Sequence, residues 1–240
     1  MAKEERVRTS QEWGYSMKKP FLFVALDGLV NKEEETLRTA QMLAGSGIGF
    51  KINLDYILLH GIKRAVKQLP NCPVFVDLKM WNGGRTMARI VETLVDLEVG
   101  YVNAYVLADK ELRQVIEVVK GTKTKILGVT VLTHYGDGYC QSIFGHALAG
   151  TVVWLTGKAQ ILGCSGVILP GSCLGVVRGI DITKVIPGVR PSWYADERHK
   201  AKITPRDAIS RGADILVCGS PIMKDPDPKK ALGMILEEII

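Results

Sequence analysis

From Phe21 onward, short runs of β-branched and apolar residues alternate with stretches in which apolar positions recur at helical spacing. Such alternation marks β–α units built around a parallel sheet. The runs predict strands over 21–26, 48–52, 73–79, 99–106, 124–132, 166–169, 184–187 and 213–218, with helices centred between them. Asn31 is the expected cap of the first helix, whose opening turn carries Glu33, Glu34 and Glu35 where negative charge meets exposed backbone N–H groups. Gly45-Ser-Gly47 is its expected stop. Each predicted strand is apolar on both faces, as a strand between a packed interior and a helical layer must be. Eight such units predict an α/β fold, a single (β/α)8 TIM barrel over residues 20–240. The runner-up is a doubly wound open sheet, but its usual Gly-x-Gly-x-x-Gly turn after the first strand is missing: Asp27-Gly28-Leu-Val stands there. Residues 1–19, polar and of mixed charge, read as an N-terminal extension that packs outside the barrel or stays mobile.

Composition narrows the class without changing the fold. A chain of 240 residues with 47% hydrophobic and 23% charged residues is ordinary for one large globular domain. No run of eighteen apolar residues occurs, so no membrane span is expected, and the first twenty residues offer no apolar stretch of the kind a signal peptide needs. A cytoplasmic location is the expectation. The five cysteines, Cys72, Cys140, Cys164, Cys173 and Cys218, never fall in a Cys-x-x-Cys spacing and read as reduced core thiols, with no metal site among them. The net charge of +6 suits an anionic ligand, but the basic residues are spread along the chain and no nucleic-acid recognition motif is present, so no nucleic-acid partner is expected.

In a barrel of this type the active site lies at the C-terminal ends of the strands, so polar residues that end an apolar strand carry the chemistry. In chain order these are Asp27, Lys51, Asp77 with Lys79, Asn103, Thr133 with His134, and Gly188 with Arg190. Val74-Phe-Val-Asp77-Leu-Lys79 is the sharpest cluster, because residues two apart on a strand project to one side and that side faces the barrel interior. With Lys51 ending the neighbouring strand, the expected array is cation, anion, cation. A merely structural ion-pair network is the bland alternative. Burying such charges costs several kcal/mol per ion and adds little over apolar packing, which favours function.

These residues resemble those of the orotidine 5′-monophosphate decarboxylase family, from Phe21 to the C-terminus. Phe23-Val-Ala-Leu-Asp27 is similar to the family's first strand, Gly49-Phe-Lys51 to its second-strand lysine motif, and Asp77-x-Lys79-x-x-Asn82 with Thr86 to its Asp-x-Lys-x-x-Asp…Thr signature. Val129-Thr-Val-Leu-Thr133, Pro187-Gly188-Val-Arg190-Pro191 and Gly219-Ser220-Pro-Ile222 are similar to the fifth, seventh and eighth strand ends. The resemblance implies decarboxylation of a pyrimidine nucleotide without metal or organic cofactor. Lys79 would be the proton donor, Lys51 and Asp77 would position it, and Asp27 would contact ribose hydroxyls. It also implies a homodimer with shared active sites, to which Asn82 and Thr86 would contribute.

Three positions depart from the pattern. Asn82 stands where the family has a second carboxylate, Ser220 where it has a phosphate-gripping arginine, and Glu197 aligns with a glutamine that also binds phosphate. The cation-rich segment from Arg190 to Lys202 and the backbone N–H groups near Gly219 and Ser220 are the expected compensation. His134 with Tyr135-Gly-Asp-Gly138 reads as a lid, Trp81 as a residue of a dimer seam, and Thr86 as a cap or substrate contact. Two alternatives accompany the lyase: a magnesium-dependent sugar-phosphate decarboxylase of a related barrel group, disfavoured because Lys51 occupies the place of its metal-binding glutamate, and a non-catalytic or engineered scaffold that keeps the fold.

Overall fold

A computed structural model describes residues 21–194 and 203–239. Among them eight parallel strands close into a barrel in sequence order: β1 (Phe21–Ala25), β2 (Gly49–Asn53), β3 (Val74–Met80), β4 (Tyr101–Tyr105), β5 (Lys125–Val129), β6 (Gly166–Ile168), β7 (Thr183–Pro187) and β8 (Ile215–Cys218). β8 returns to β1 with Phe21 beside Ile215 and Val24 beside Cys218. The expected (β/α)8 class is therefore correct, and the open sheet is not formed. The helices are α1 (Glu33–Leu43), α2 (Leu54–His60), α3 (Ile62–Lys67), α4 (Gly84–Asp96), α5 (Glu111–Val119), α6 (Asp137–Phe144), α7 (Leu148–Leu162), α8 (Pro205–Ser210), α9 (Ser220–Met223) and α10 (Pro228–Ile239). The proposed extension, residues 1–19, lies outside the described residues.

Strand alternation sorts the apolar residues into two cores. Phe21, Phe23, Phe75, Leu127, Val185, Ile215 and Val217 fill the barrel interior, while Leu22, Val24, Val76, Ile126, Leu216 and Cys218 face the helices. Phe23 anchors the inner core, its ring meeting Phe21, Phe75 and Tyr101 edge to face at 5.1–5.7 Å. The ring needs Gly49 beside it: a Cβ there would lie 2.4 Å from the Phe23 ring. All five cysteines are free, and burial pushes the thiols of Cys164 and Cys218 up to about 12, so both stay protonated.

Several local expectations need correction. Asn31 does not cap α1: the cap position is Lys32, without a side-chain bond, and the Asn31 N–H is turned back to the Gly28 carbonyl. β4 is shorter than predicted because Val106–Ala108 winds into a 3-10 turn, and β5 ends at Val129 instead of residue 132. After β6, among the described residues, two 3-10 turns (Gly171–Cys173 and Gly175–Val177) stand where a regular α-helix was expected. Apolar runs alone cannot place such ends, since the same residues pack equally well just beyond the ladder.

Candidate active site

The C-terminal ends of the strands surround a cavity of about 290 Å³. Asp27, Lys51, Asp77, Lys79, Thr133, Pro187, Gly188, Arg190, Gly219 and Ser220 all line it, together with Asn103 and His134. A larger cavity of about 900 Å³ opens at the other end of the barrel, beside Asn71, Gly100 and Lys125, and contains none of the predicted site residues. Barrel geometry makes the smaller one the functional candidate.

Asp77 is the hub. Its side chain is 9% exposed, and one carboxylate oxygen takes Lys79 Nζ at 2.6 Å while the other lies 3.2 Å from Lys51 Nζ. The first oxygen also accepts a hydrogen bond from Asn103 Nδ2 at 2.7 Å. Burial pushes the Asp77 carboxyl up, but the charges of Lys51 and Lys79, with hydrogen bonds from Lys79 and Asn103, outweigh it and hold the group below its ordinary range. Asp77 is thus an anion throughout the physiological range. Lys51, equally buried, continues the chain to Asp27 Oδ1 at 3.3 Å and to the side-chain oxygen of Asn53. Asn53 in turn donates to Asp27 Oδ1 at 3.0 Å. Lys79 is the accessible end of the array, with 41% of its side chain exposed.

Simple strand alternation does not account for how Lys79 reaches Asp77. The β3–β4 register shifts between Val76 and Met80, and Lys79 adopts a left-handed backbone conformation with φ of 48°. This conformation is uncommon for a residue with a Cβ, and it re-aims the side chain over the cavity.

The remaining predicted residues divide clearly. Arg190 is buried, its Nη1 donating to the Val189 carbonyl at 3.0 Å and its guanidinium 5.9 Å from the Tyr194 ring. Ser220, the first residue of α9, presents a neutral hydroxyl at the cavity. Asn82 and Thr86 are exposed and do not line this chain's cavity; Asn82 Oδ1 accepts the Gly83 N–H at 2.7 Å. Glu197 lies outside the described residues, as do Arg198 to Lys202 of the cation-rich segment. The last two residues of the expected lid are helical: α6 begins at Asp137, and the Tyr135 and Tyr139 rings stack at 3.7 Å. Trp81 is exposed beside Tyr105. Among the described residues no group of three His, Cys, Asp or Glu side chains is placed to hold a metal ion, and no helix is long and apolar enough to cross a membrane.

The family model described as "Orotidine 5′-phosphate decarboxylase / HUMPS family" matches residues 20–235. The chain belongs to this family. Among curated relatives it is 35% identical to an orotidine 5′-phosphate decarboxylase of Rhodopseudomonas palustris strain TIE-1 over 212 residues, 85% of this chain and 89% of the relative. It is 31% identical to that of Carboxydothermus hydrogenoformans over 231 residues, 91% and 95% of the two chains. The crystal structure of the orotidine 5′-phosphate decarboxylase of Lactobacillus acidophilus superimposes with a TM-score of 0.72 at 24% identity, covering 92% of this chain and 99% of that one, a likeness of fold. Within this orotidine 5′-phosphate decarboxylase / HUMPS barrel, Asn53, bonded to both Lys51 and Asp27, is a member of the charged array that motif reading passed over. Its signal was present, since it follows Lys51 by two on one strand and so shares its face.

The array makes a stability prediction. Asp77→Asn removes the negative charge between two cations and leaves buried Lys51 with Asp27 as its described anionic partner, which should destabilise the fold by about 3 kcal/mol near neutral pH. Because the folded pKa is depressed, that contribution is complete above the ordinary aspartate value and is lost as pH falls through the lower folded value. Urea unfolding of both proteins from pH 3 to 8 checks this. A variant as stable as wild type at neutral pH, or a difference that grows toward low pH, would contradict it.

Proposed function

We propose that the chain is a carboxy-lyase acting on orotidine 5′-monophosphate or a closely related pyrimidine nucleotide carboxylate, with Lys79 as proton donor. The observation that carries the reading is the convergence of Lys51 and Lys79 on the buried, ionised Asp77 at the mouth of a family barrel. The bond from the ring carbon to the carboxylate breaks heterolytically, carbon dioxide leaves, and the electron pair stays on the ring carbon. Lys79 stabilises that developing charge and delivers a proton to it, then regains one from solvent. Asp77 keeps Lys79 aimed and opposes a substrate carboxylate more than the transition state, where the negative charge has moved onto the ring. Asp27, exposed and tied to Lys51 and Asn53, would accept from sugar hydroxyls. The chemistry so described assigns no step to a metal or organic cofactor.

A non-catalytic barrel is the second reading, and Ser220 is the observation in its favour. The described part of the β8 end offers an anion no cation of its own, and the Asp27 carboxylate leans toward Gly219, 3.2 Å from where a Cβ would stand. Among the described residues, a phosphate there would depend on Arg190 and backbone N–H groups. Loss of absorbance of orotidine 5′-monophosphate separates the two readings. Wild type should turn over, Lys79→Ala should lose roughly 1,000-fold or more in kcat, and Ser220→Arg should lower KM about tenfold by adding a charge-assisted contact. No turnover by wild type, or undiminished turnover by Lys79→Ala, would overturn the lyase.

The reading includes a homodimer with shared sites. Asn82 follows the end of β3 and Thr86 lies in the first turn of α4, both exposed, and Trp81, Leu58 and Leu59 are exposed apolar side chains. Sedimentation should give about twice the 26.3 kDa chain mass; a stable monomer would remove any role for Asn82 and Thr86.

A further inference from the structure

Between the pairs Val76–Val102 and Met80–Ala104, three residues of β3 face a single residue of β4, Asn103. A bulge of this size leaves backbone groups without ladder partners, and a buried N–H without a partner is not tolerated. Asn103 supplies what is missing. It is fully buried on the inner face of β4, its Oδ1 accepts the Lys79 backbone N–H at 2.7 Å, and its Nδ2 donates to Asp77 Oδ1 at 2.7 Å. The orientation of the amide is fixed by chemistry, since the N–H requires an acceptor and the carboxylate requires a donor. One planar side chain therefore binds the hub anion with one end and, with the other, the backbone of a non-glycine residue at φ of 48°.

We propose that Asn103 is the positioning residue of the site: by bridging the Asp77 carboxylate and the Lys79 backbone it holds Lys79 in the left-handed conformation from which its ammonium reaches over the cavity. Asn103 touches no reacting atom in this scheme and acts through Asp77 and Lys79. The inference rests on the reading of Lys79 as proton donor for its kinetic consequence, but not for its structural one. An isolated carboxylate at position 103 could still accept from the Lys79 N–H but could not donate to Asp77. An apolar side chain could do neither.

The test uses Asn103→Asp and Asn103→Leu in the full chain, with folding verified by circular dichroism and the wild-type enzyme assayed beside them. Asn103→Leu should lose on the order of 100-fold in kcat, the scale of misplacing a reacting group by about 1 Å, while KM changes less than about threefold. Asn103→Asp should move the acid limb of the kcat profile to higher pH. The groups that face Asp77 are Lys51 from β2, Lys79 from β3 and Tyr105 from β4, and the substitution would add a second carboxylate to them while removing a donor. A folded Asn103→Leu variant with kcat within threefold of wild type overturns the proposal, as does an Asn103→Asp profile that does not move. Hydrogen exchange on the wild-type protein decides independently of activity and of variant folding. The Lys79 amide should be strongly protected although its side chain is exposed, and exchange at the rate of a loop amide would overturn the bridge even in an active enzyme. If wild type neither turns over nor binds a nucleotide product analogue, the lyase reading fails while a protected Lys79 amide leaves the bridge standing.

Discussion

Burial by itself would drive Asp77 toward its neutral acid, and the organisation of the barrel mouth follows from what prevents this. Lys51 on β2, Lys79 at the end of β3 and Asn103 on β4 each direct a donor or a positive charge at the one carboxylate. None of the three contacts is local in the usual sense: two cross between strands, and the third depends on an irregular backbone. The closed sheet is therefore what makes the anion tenable. It brings the carboxyl ends of β2, β3 and β4 side by side, and the aromatic packing around Phe23 fills the interior beneath them. A site of this kind gives little net stability for the charges it collects. Its value lies in a preorganised field, fixed before any substrate arrives.

The same geometry explains why the family resemblance and the three departures coexist. The family match spans residues 20–235, and within it Asp27, Lys51, Asp77 and Lys79 all face one cavity. Two of the departures lie among the described residues. Asn82 is exposed and does not line the cavity, whereas Ser220 lines it at the start of α9. Asn82 thus lies apart from the charge array, whereas Ser220 shares its cavity and bears on how a ligand is held there. Arg190, buried and hydrogen-bonded to the Val189 carbonyl, is a described cation that lines the same cavity.

Much of this was legible in the sequence, and what was not has a common cause. The strand runs were visible because each is apolar on both faces. The polar residues that end them were visible because a charge closing an apolar run is costly to bury unless it meets a partner or a ligand. Lys51, Asp77 and Lys79 were singled out on that ground and do converge. The misses are places where the backbone leaves its repeating conformation. Alternation gave the correct partners Asp77 and Lys79 for an incomplete reason, since the left-handed turn at Lys79 has no signature in a residue that ordinarily avoids it. Asn103 was visible as a polar strand end but its bridge was not, because the need for it arises only from the register shift. The cap at Asn31 failed because the chain turns back at Gly28 before the helix begins. Tyr135 to Gly138 reads as a loop on composition, whereas Tyr135 stacks on Tyr139 and Asp137 and Gly138 already belong to α6.

The central claim is that Asp77 is buried, ionised and kept so by two lysines. The most direct measurement is a pH titration of the Asp77 carboxyl carbon by 13C NMR, in wild type and in Lys51→Met. The account predicts a wild-type midpoint below that of ordinary aspartates and a clear upward shift when the Lys51 charge is removed. A wild-type midpoint at or above the ordinary range, or no movement in the variant, would mean that the lysines do not set the state of the carboxylate and would contradict the account.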